Sequence, residues 1–452
     1  MRHRAAQFTG LAALLISCLL GSSGCKTVGP DYKPPQTATP TNWTSDLQGG
    51  LTGAAADTNF LERWWTVFND PILSALVERA RAGNLDLRQA EARLREARAQ
   101  RGMAKAALFP TVGANASANR TTASKQAGNG QTTDFYATSL DASWELDIFG
   151  GKRRSLESAT ATWQASQDSL RDVLVSLLAE VALNYVEVRS YQELLSITES
   201  NVLTRTETYD ITRWRREAGL TTQLDQDQAK QSLEEVRAQV PTLRTSLEQA
   251  KYRLAVLLGQ PPGALQDLLA EQTPVPRAPA EVVVGVPADL LRRRPDIRGA
   301  ERQLAAQTAQ IGVAKAQLYP SFSLVGTLGL ESLEYANLYS ASARAAQGLA
   351  KAAWTIFDGG SIRQNITLQT AKQEEALSYY ENTVLTALKD VESALVAYAN
   401  EQTRRDSLAA AVTAGRSAFE LARFPRTSLS RPTPRQSAQS VQSAQSDAVC
   451  AV

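Results

Sequence analysis

Leu85–Pro110 reads LDLRQAEARLREARAQRGMAKAALFP, and Pro295–Pro320 reads PDIRGAERQLAAQTAQIGVAKAQLYP. Thirteen of these 26 aligned positions are identical, among them Asp86/Asp296, Glu91/Glu301, Gly102/Gly312, Lys105/Lys315 and Pro110/Pro320. The offset of 210 residues (295 minus 85) persists downstream. Trp144 falls opposite Trp354, and WELDIFGG has a partner, one residue shorter, in WTIFDGG. Further on, Tyr209, Ile211, Arg213 and Trp214 fall opposite Phe419, Leu421, Arg423 and Phe424. One offset held over that distance marks an internal duplication.

Each repeat opens with a helical pattern, about 71–107 and 296–317, stopped near Pro110 or Pro320 and followed by extended chain. The expected strands are 111–120 and 135–148 in repeat one, and 321–330 and 345–356 in repeat two. Val112, Ala114, Ala116 and Ala118 alternate with polar neighbours. Segments near ten residues with this dyad alternation fit a membrane β-barrel strand, and equally a soluble hairpin. Four strands cannot close a membrane barrel, so the barrel reading requires an oligomer.

Long helices come next. Leu174, Val181, Val188, Leu195, Val202 and Tyr209 recur every seven residues; Leu233, Val236, Val240, Leu243, Leu247, Ala250, Leu254 and Leu257 alternate in threes and fours. Both are coiled-coil seams. A helix over Leu156–Arg216 would run on the order of 90 Å at about 1.5 Å per residue. Pro241 is expected to kink the returning helix, and GQPPG at Gly259–Gly263 to end it. The boundaries read as a first repeat at 61–262, a linker at 263–287 and a second repeat at 288–424.

Residues 1–24 read as a secretory signal: Arg2 and Arg4, an apolar run Leu11–Leu20, then Gly21-Ser22-Ser23-Gly24. Cys25 follows directly, as a lipid-attachment cysteine does, although Ser22 stands where such signals carry leucine. A plain signal with an incidental cysteine is the other reading. Residues 25–60 then form an extended tether of little structure, rich in Pro, Thr and Gly near its start.

Net charge is +2, from 48 basic and 46 acidic residues, so no field for gripping nucleic acid exists. The only histidine is His3, inside the expected signal. Without imidazole, most hydrolase and metalloenzyme mechanisms are excluded, and we expect no enzyme, no cofactor and no metal site. Cys18, Cys25 and Cys450 offer no disulfide framework.

Several stretches resemble the outer-membrane efflux family (the TolC, OprM and NodT type), in its lipoprotein branch. They are VGPDYKPP at Val28–Pro35, WWTVFNDPILSALVERARAGNLDL from Trp64, WELDIFGGKRRS at Trp144–Ser155, PADLLRRRPDIRGAERQLAAQTAQIGVAKAQLYPSFSL from Pro287, and WTIFDGG. The resemblance covers Cys25 to Phe424. It implies an α+β membrane protein in which three protomers share one twelve-stranded β-barrel, continued by a periplasmic α-helical barrel. It also implies a homotrimer serving a periplasmic adaptor and an inner-membrane efflux pump, anchored in outer-membrane lipid through Cys25. A polar helix face at Arg171, Asp172, Glu187, Arg189 and Gln192 suits a water-filled duct. The turn near Gly219, Leu220 and Thr221 would be the periplasmic docking and gating tip. Asp225 and Asp227 would either ring its mouth or serve as ordinary first-turn aspartates. Trp144 and Trp354 would mark a barrel rim or simply pack, and Arg292–Arg294 read as structural or as a binding patch.

After Phe424 the repeat match stops. Where repeat one continues RREAGLTTQLDQDQAKQSLEEV, repeat two offers PRTSLSRPTPRQSAQSVQSAQSDAVCAV. Proline and Ser/Gln replace the seam, so 425–452 reads as a disordered tail from an altered reading frame. The counterpart of Thr221–Leu258 is then missing, and an impaired duct is expected. The alternative function is a structural coiled-coil lipoprotein without a pore.

Overall fold

A computed structural model describes residues 27–35, 40, 42–45, 47–53, 62–277, 282–284, 287 and 293–423. The expected signal 1–24, Cys25 and the tail 425–452 lie outside them. The duplication reappears as geometry. Helix α1 is Pro71–Gly83 and α2 is Leu85–Ala106; strands β2 and β3 are Thr111–Thr122 and Thr132–Leu146, after a two-residue β1 at Leu51–Thr52. Helices α3 (Gly151–Glu217) and α4 (Gln223–Leu257) follow, then β4 (Val282–Val283), α5 (Pro295–Ala316), β5 (Ser321–Ser332), β6 (Arg344–Ala353) and α6 (Ser361–Arg423). The pairs α2/α5 and β2/β5 share their bounds to the residue at the 210 offset, and α3 and α6 start in register. The strands differ from the sequence expectation by one to three residues at most of their ends.

The chain divides into two compact units, and both repeats contribute to each. Among the described residues, one comprises 27–35, Ala92–Asp168 and Asp296–Thr383, and the other comprises those within 40–91, 169–295 and 384–423. The first unit holds a four-stranded antiparallel sheet in the order β2-β3-β5-β6, with one hairpin from each repeat joined at β3–β5.

The second unit holds the main core. Trp65, Leu73, Leu76 and Val77 pack with Leu177, Val181, Tyr185 and Val188 of α3, and with Leu247, Ala250 and Leu254 of α4. The heptad seam is thus realised, Val181 and Val188 being fully buried. Helix α4 runs unbroken across Pro241.

Three local outcomes depart from the sequence reading. The single helix expected over 71–107 is broken at Asn84, which leaves helical geometry at ψ 133°. Its Oδ1 accepts the Leu87 N–H at 2.8 Å, capping α2, while its Nδ2 donates to the Leu257 carbonyl at 2.9 Å. Gly83 and Gly259 meet backbone to backbone there: a Cβ on Gly259, already at φ +67°, would lie 2.2 Å from the Gly83 carbonyl oxygen.

Arg189 and Gln192, expected on a wet helix face, are buried. The segment after α4 returns over α3, and its carbonyls take them: Arg189 Nη1 donates to Glu271 at 2.6 Å and Gln192 Nε2 to Leu269 at 2.7 Å.

The described parts of the segment expected to be a loose tether are docked. In the second unit, Glu392 of α6 accepts the Thr44 N–H at 2.7 Å, the Ser45 N–H at 3.2 Å and the Ser45 hydroxyl at 2.7 Å. The Ser45 hydroxyl and the Thr44 N–H hold the Glu392 carboxyl below the usual glutamate range. A depressed pKa stabilises the clasp above the unfolded value, about 4.3, and releases it as pH falls through the lower folded value. Hydrogen exchange at Thr44 and Ser45, corrected for intrinsic rate, should therefore lose protection on acidification in that window. Glu392→Gln should show the loss already at neutral pH. Protection unchanged in either test rules the clasp out.

Candidate functional site

The sheet has two unlike faces. Register pairs Leu140 with Leu328 and Ala114, Trp144 with Leu324, Leu146 with Phe322, and Leu328 with Ala346, so these side chains share one face. That face is apolar and exposed: Leu140 is 56% and Leu328 66% accessible. It ends in charge near the hairpin turns, where Arg120 grips Asp134 with two bonds of 2.6 and 2.7 Å. The opposite face carries Asn115, Ser139, Asp141, Thr327, Gln347 and Lys351, with Phe135, Val325 and Leu349 as its large apolar exceptions. Asp141 accepts from Ser139 at 2.9 Å and Thr327 at 2.8 Å, and from the Asn115 amide, tying three strands across the seam between repeats. Among the described residues, both outer strands, β2 and β6, have an edge that pairs with no other strand.

At the helix end of the sheet the two tryptophans do the same work. Trp144 donates its indole N–H to the Leu108 carbonyl at 2.9 Å, and Trp354 donates to Leu318 at 3.0 Å. Each closes the turn leading into Pro110 or Pro320. Both long helices are then started by aspartate. Asp147 accepts the N–H groups of Lys152 and Arg153, each at 2.9 Å, and Asp358 those of Gly360 at 2.9 Å and Ile362 at 2.6 Å. The Ile362 and Gly360 N–H groups hold the Asp358 carboxyl below its ordinary range.

The turn between α3 and α4 lies in the second unit. Gly219 adopts φ +74°, its N–H donates to Arg216 at 2.8 Å, and the Leu220 N–H reaches Arg215 at 2.8 Å. This is a Schellman closure, which requires the left-handed residue that glycine supplies. Thr222 then caps α4 in a capping box with Asp225. Asp225 Oδ2 accepts from the hydroxyls of Thr221 at 2.6 Å and Thr222 at 2.8 Å, so this carboxylate serves the cap. Asp227 accepts from Gln223 at 2.9 Å. Leu220 and Leu224 are left exposed at the turn. Of the arginine cluster, Arg294 lies 3.9 Å from Asp390.

Sequence reasoning missed the buried arginines Arg154 and Arg189, since nothing in a periodic pattern separates a solvated cation from one enclosed by a returning segment. Among the described residues no group of His, Cys, Asp and Glu is placed to hold a metal, and no helix is long and apolar enough to cross a membrane.

A family model described as "Outer membrane efflux protein" matches residues 76–260 and 286–424. Nodulation protein T of Rhizobium leguminosarum bv. trifolii is 36% identical over 406 residues, 87% of this chain and 83% of that protein. The probable efflux pump outer membrane protein TtgC of Pseudomonas putida is 32% identical over 391 residues, 86% of this chain and 80% of that protein. The solved outer-membrane channel OprN is similar with a TM-score of 0.85 at 35% identity, across 94% of this chain and 95% of that one.

Proposed function

Because the chain belongs to the outer membrane efflux protein family, we propose that it is the passive outer-membrane exit duct of a tripartite efflux system, built as a homotrimer. The observation that carries this reading is the two-faced sheet with open edges. An exposed apolar face of that extent is unfavourable in water and suits lipid. Open edges in lipid are costly, because each unpaired N–H and C=O loses water without gaining a partner. Strands β2 and β6 run in opposite directions, so β6 of one copy pairs antiparallel with β2 of the next, and three copies of four strands make twelve. From Phe322 to Leu330 the apolar band runs about 27 Å along the strand, or about 21 Å after a tilt of about 40°, close to a barrel's hydrocarbon band.

Helix α2 supports the same assembly. It repeats the α5 sequence, yet α5 buries ten residues, including Gly312, while Gly102 of α2 has no neighbour within 4 Å of a Cβ position. A second copy would supply what α2 lacks. The polar sheet face then lines a wet lumen that solutes cross without chemistry, and energy comes from an inner-membrane pump through a periplasmic adaptor. The turn Gly219-Leu220-Thr221, with Asp225 and Asp227 setting its helix start, is the end offered to that adaptor. Cys25 is the lipid anchor. Small toxic compounds are the cargo, and the pump selects among them. Among the described residues one helical hairpin, α3–α4, is complete, and because the sequence from Pro425 does not repeat that of α4 we expect export to be impaired.

Purified protein should migrate as a heat-resistant trimer and conduct ions as single channels in a planar bilayer. Folded monomers stable in water without detergent would sink the duct reading, and trimers without conductance would leave only a structural lipoprotein. The same gene should restore less than full drug resistance to an efflux-deficient strain; full restoration overturns the impairment.

A further inference from the structure

The described start of the chain, Thr27–Pro35, is seated against helices from both repeats within the first unit. Arg154 of α3 organises the seat. Its side chain is only 3% exposed, although it is a cation. Nε donates to the Val28 carbonyl at 3.1 Å, and Nη2 to the Gly29 carbonyl at 3.4 Å and to Asp31 Oδ1 at 2.6 Å. Nη1 meets Glu157 at 2.7 Å. Three of these four acceptors belong to the incoming segment, so the segment is what makes a buried guanidinium tolerable. Burial works against the charged form, and the bonds to Asp31 and Glu157 overcome it, leaving Arg154 more firmly protonated than usual.

Backbone contacts seat the same segment independently. The Val28 N–H donates to the Phe149 carbonyl at 3.1 Å. Gly29, at φ +97°, lies so close to α5 that a Cβ would fall 2.5 Å from the Gly312 Cα. Gly312 is needed twice, since its own Cβ would fall 2.7 Å from the Arg154 Cγ. Tyr32 finishes the contact. Its ring packs on Ala161 of α3 and Ala305 and Ala306 of α5, and its hydroxyl donates to Glu301 at 3.0 Å.

The duplication supplies an internal control. At the 210 offset, Gly312 corresponds to Gly102 and Arg154 to Gln364. Among the described residues Gly102 meets nothing within 4 Å, and glutamine brings no charge. The seat is therefore a property of one α3–α5 groove and not of the repeat.

We propose that the α3–α5 groove is a dedicated receptor for the segment Thr27–Tyr32, with Arg154 as its anchor, and that the seated segment clamps repeat one to repeat two. Cys25 precedes Thr27 by two residues, so a lipid on it would be tied almost directly to this clamp. That consequence rests on the anchor assigned under the proposed function; the clamp itself does not.

Hydrogen exchange followed by mass spectrometry on the full chain in detergent tests the clamp without reference to transport. In the unaltered protein, amides of residues 28–33 should exchange at least tenfold more slowly than in a free peptide TVGPDYKPP. Gly29→Ala, a wedge against α5, should raise their exchange to the free-peptide rate and raise exchange in residues 296–316 at least tenfold. Asp31→Asn, which leaves the packing intact, should show the same pattern at about a tenfold effect on the segment, and Lys33→Ala should change nothing. Free-peptide exchange in the unaltered protein overturns the receptor. A freed segment with α5 exchange unchanged, in both Gly29→Ala and Asp31→Asn, overturns the clamp.

Discussion

Leu328→Arg is expected to abolish the heat-resistant trimer and remove the protein from the outer-membrane fraction, while Thr327→Arg, one residue away, is tolerated. The two positions lie on opposite faces of β5. Leu328 sits between Leu140 and Ala346 on the apolar face, and Thr327 sits between Asp141 and Gln347 on the polar one. A lipid-facing arginine near mid-membrane costs about 2–4 kcal/mol, and three copies multiply that to roughly 6–12 kcal/mol per assembled barrel. An arginine at 327 points into water beside the Asp141 carboxylate, which it can pair. Membrane fractionation with unheated gel migration reads both variants. Equal tolerance of the two would mean that the faces are assigned wrongly; equal loss would mean that the sheet is buried on both sides.

The second large effect is expected at Arg189. Its side chain is fully enclosed and joins three segments of the second unit. Asp70 caps α1 by accepting the Ile72 N–H at 2.8 Å and the Leu73 N–H at 3.0 Å, and its other oxygen accepts the Tyr185 hydroxyl at 2.6 Å. Arg189 Nε donates to that Tyr185 oxygen at 3.2 Å, and Nη1 to Gln192 at 2.8 Å and to the Glu271 carbonyl. The chain of bonds thus runs from the start of α1 through α3 to the segment after α4. Burial pushes the Tyr185 phenol up, and its bond to Asp70 adds to the shift, so it stays a neutral donor. Arg189→Ala strands the Glu271 carbonyl and the Gln192 amide oxygen and leaves a cavity, at a cost of about 3–5 kcal/mol. Arg189→Lys keeps the charge without the planar fork and should lose roughly half as much. Chemical unfolding in detergent, with tryptic cleavage after Arg277 as a local probe, measures the change. A loss under about 1 kcal/mol for the alanine variant would show the network to be dispensable.

Much of the architecture was legible in the chain, and the reasons are local. Identical motifs at one offset must fold alike, because the same side chains meet the same backbone periods, and α2/α5 and β2/β5 do. Pro110 and Pro320 follow the last turns of α2 and α5 and lead into strands, since proline lacks the N–H and clashes with the preceding turn, whereas Pro241 is carried inside α4 without ending it. The seam at Val181 and Val188 follows from a seven-residue apolar repeat. The turn at Gly219 was readable as a break between seams, though the use of Asp225 as a cap only became clear once Thr221 and Thr222 were placed beside it. The split at Asn84 left a trace in Gly83-Asn84, but its cause lies 173 residues away at Leu257.

From its sequence alone this protein is committed to two repeats that match as far as Phe424, a hairpin and a long helix in each, apolar seams along α3 and α4 and an alternating strand face. All of these are set by neighbours within a few turns of chain. Tertiary structure alone decided that β3 joins β5, that Arg189 is buried while similar arginines are wet, and that Thr27–Tyr32 is seated on α3 and α5. Those outcomes are contacts between distant segments, where the free energy of a charge or a glycine depends on what arrives beside it, and no local period carries that information.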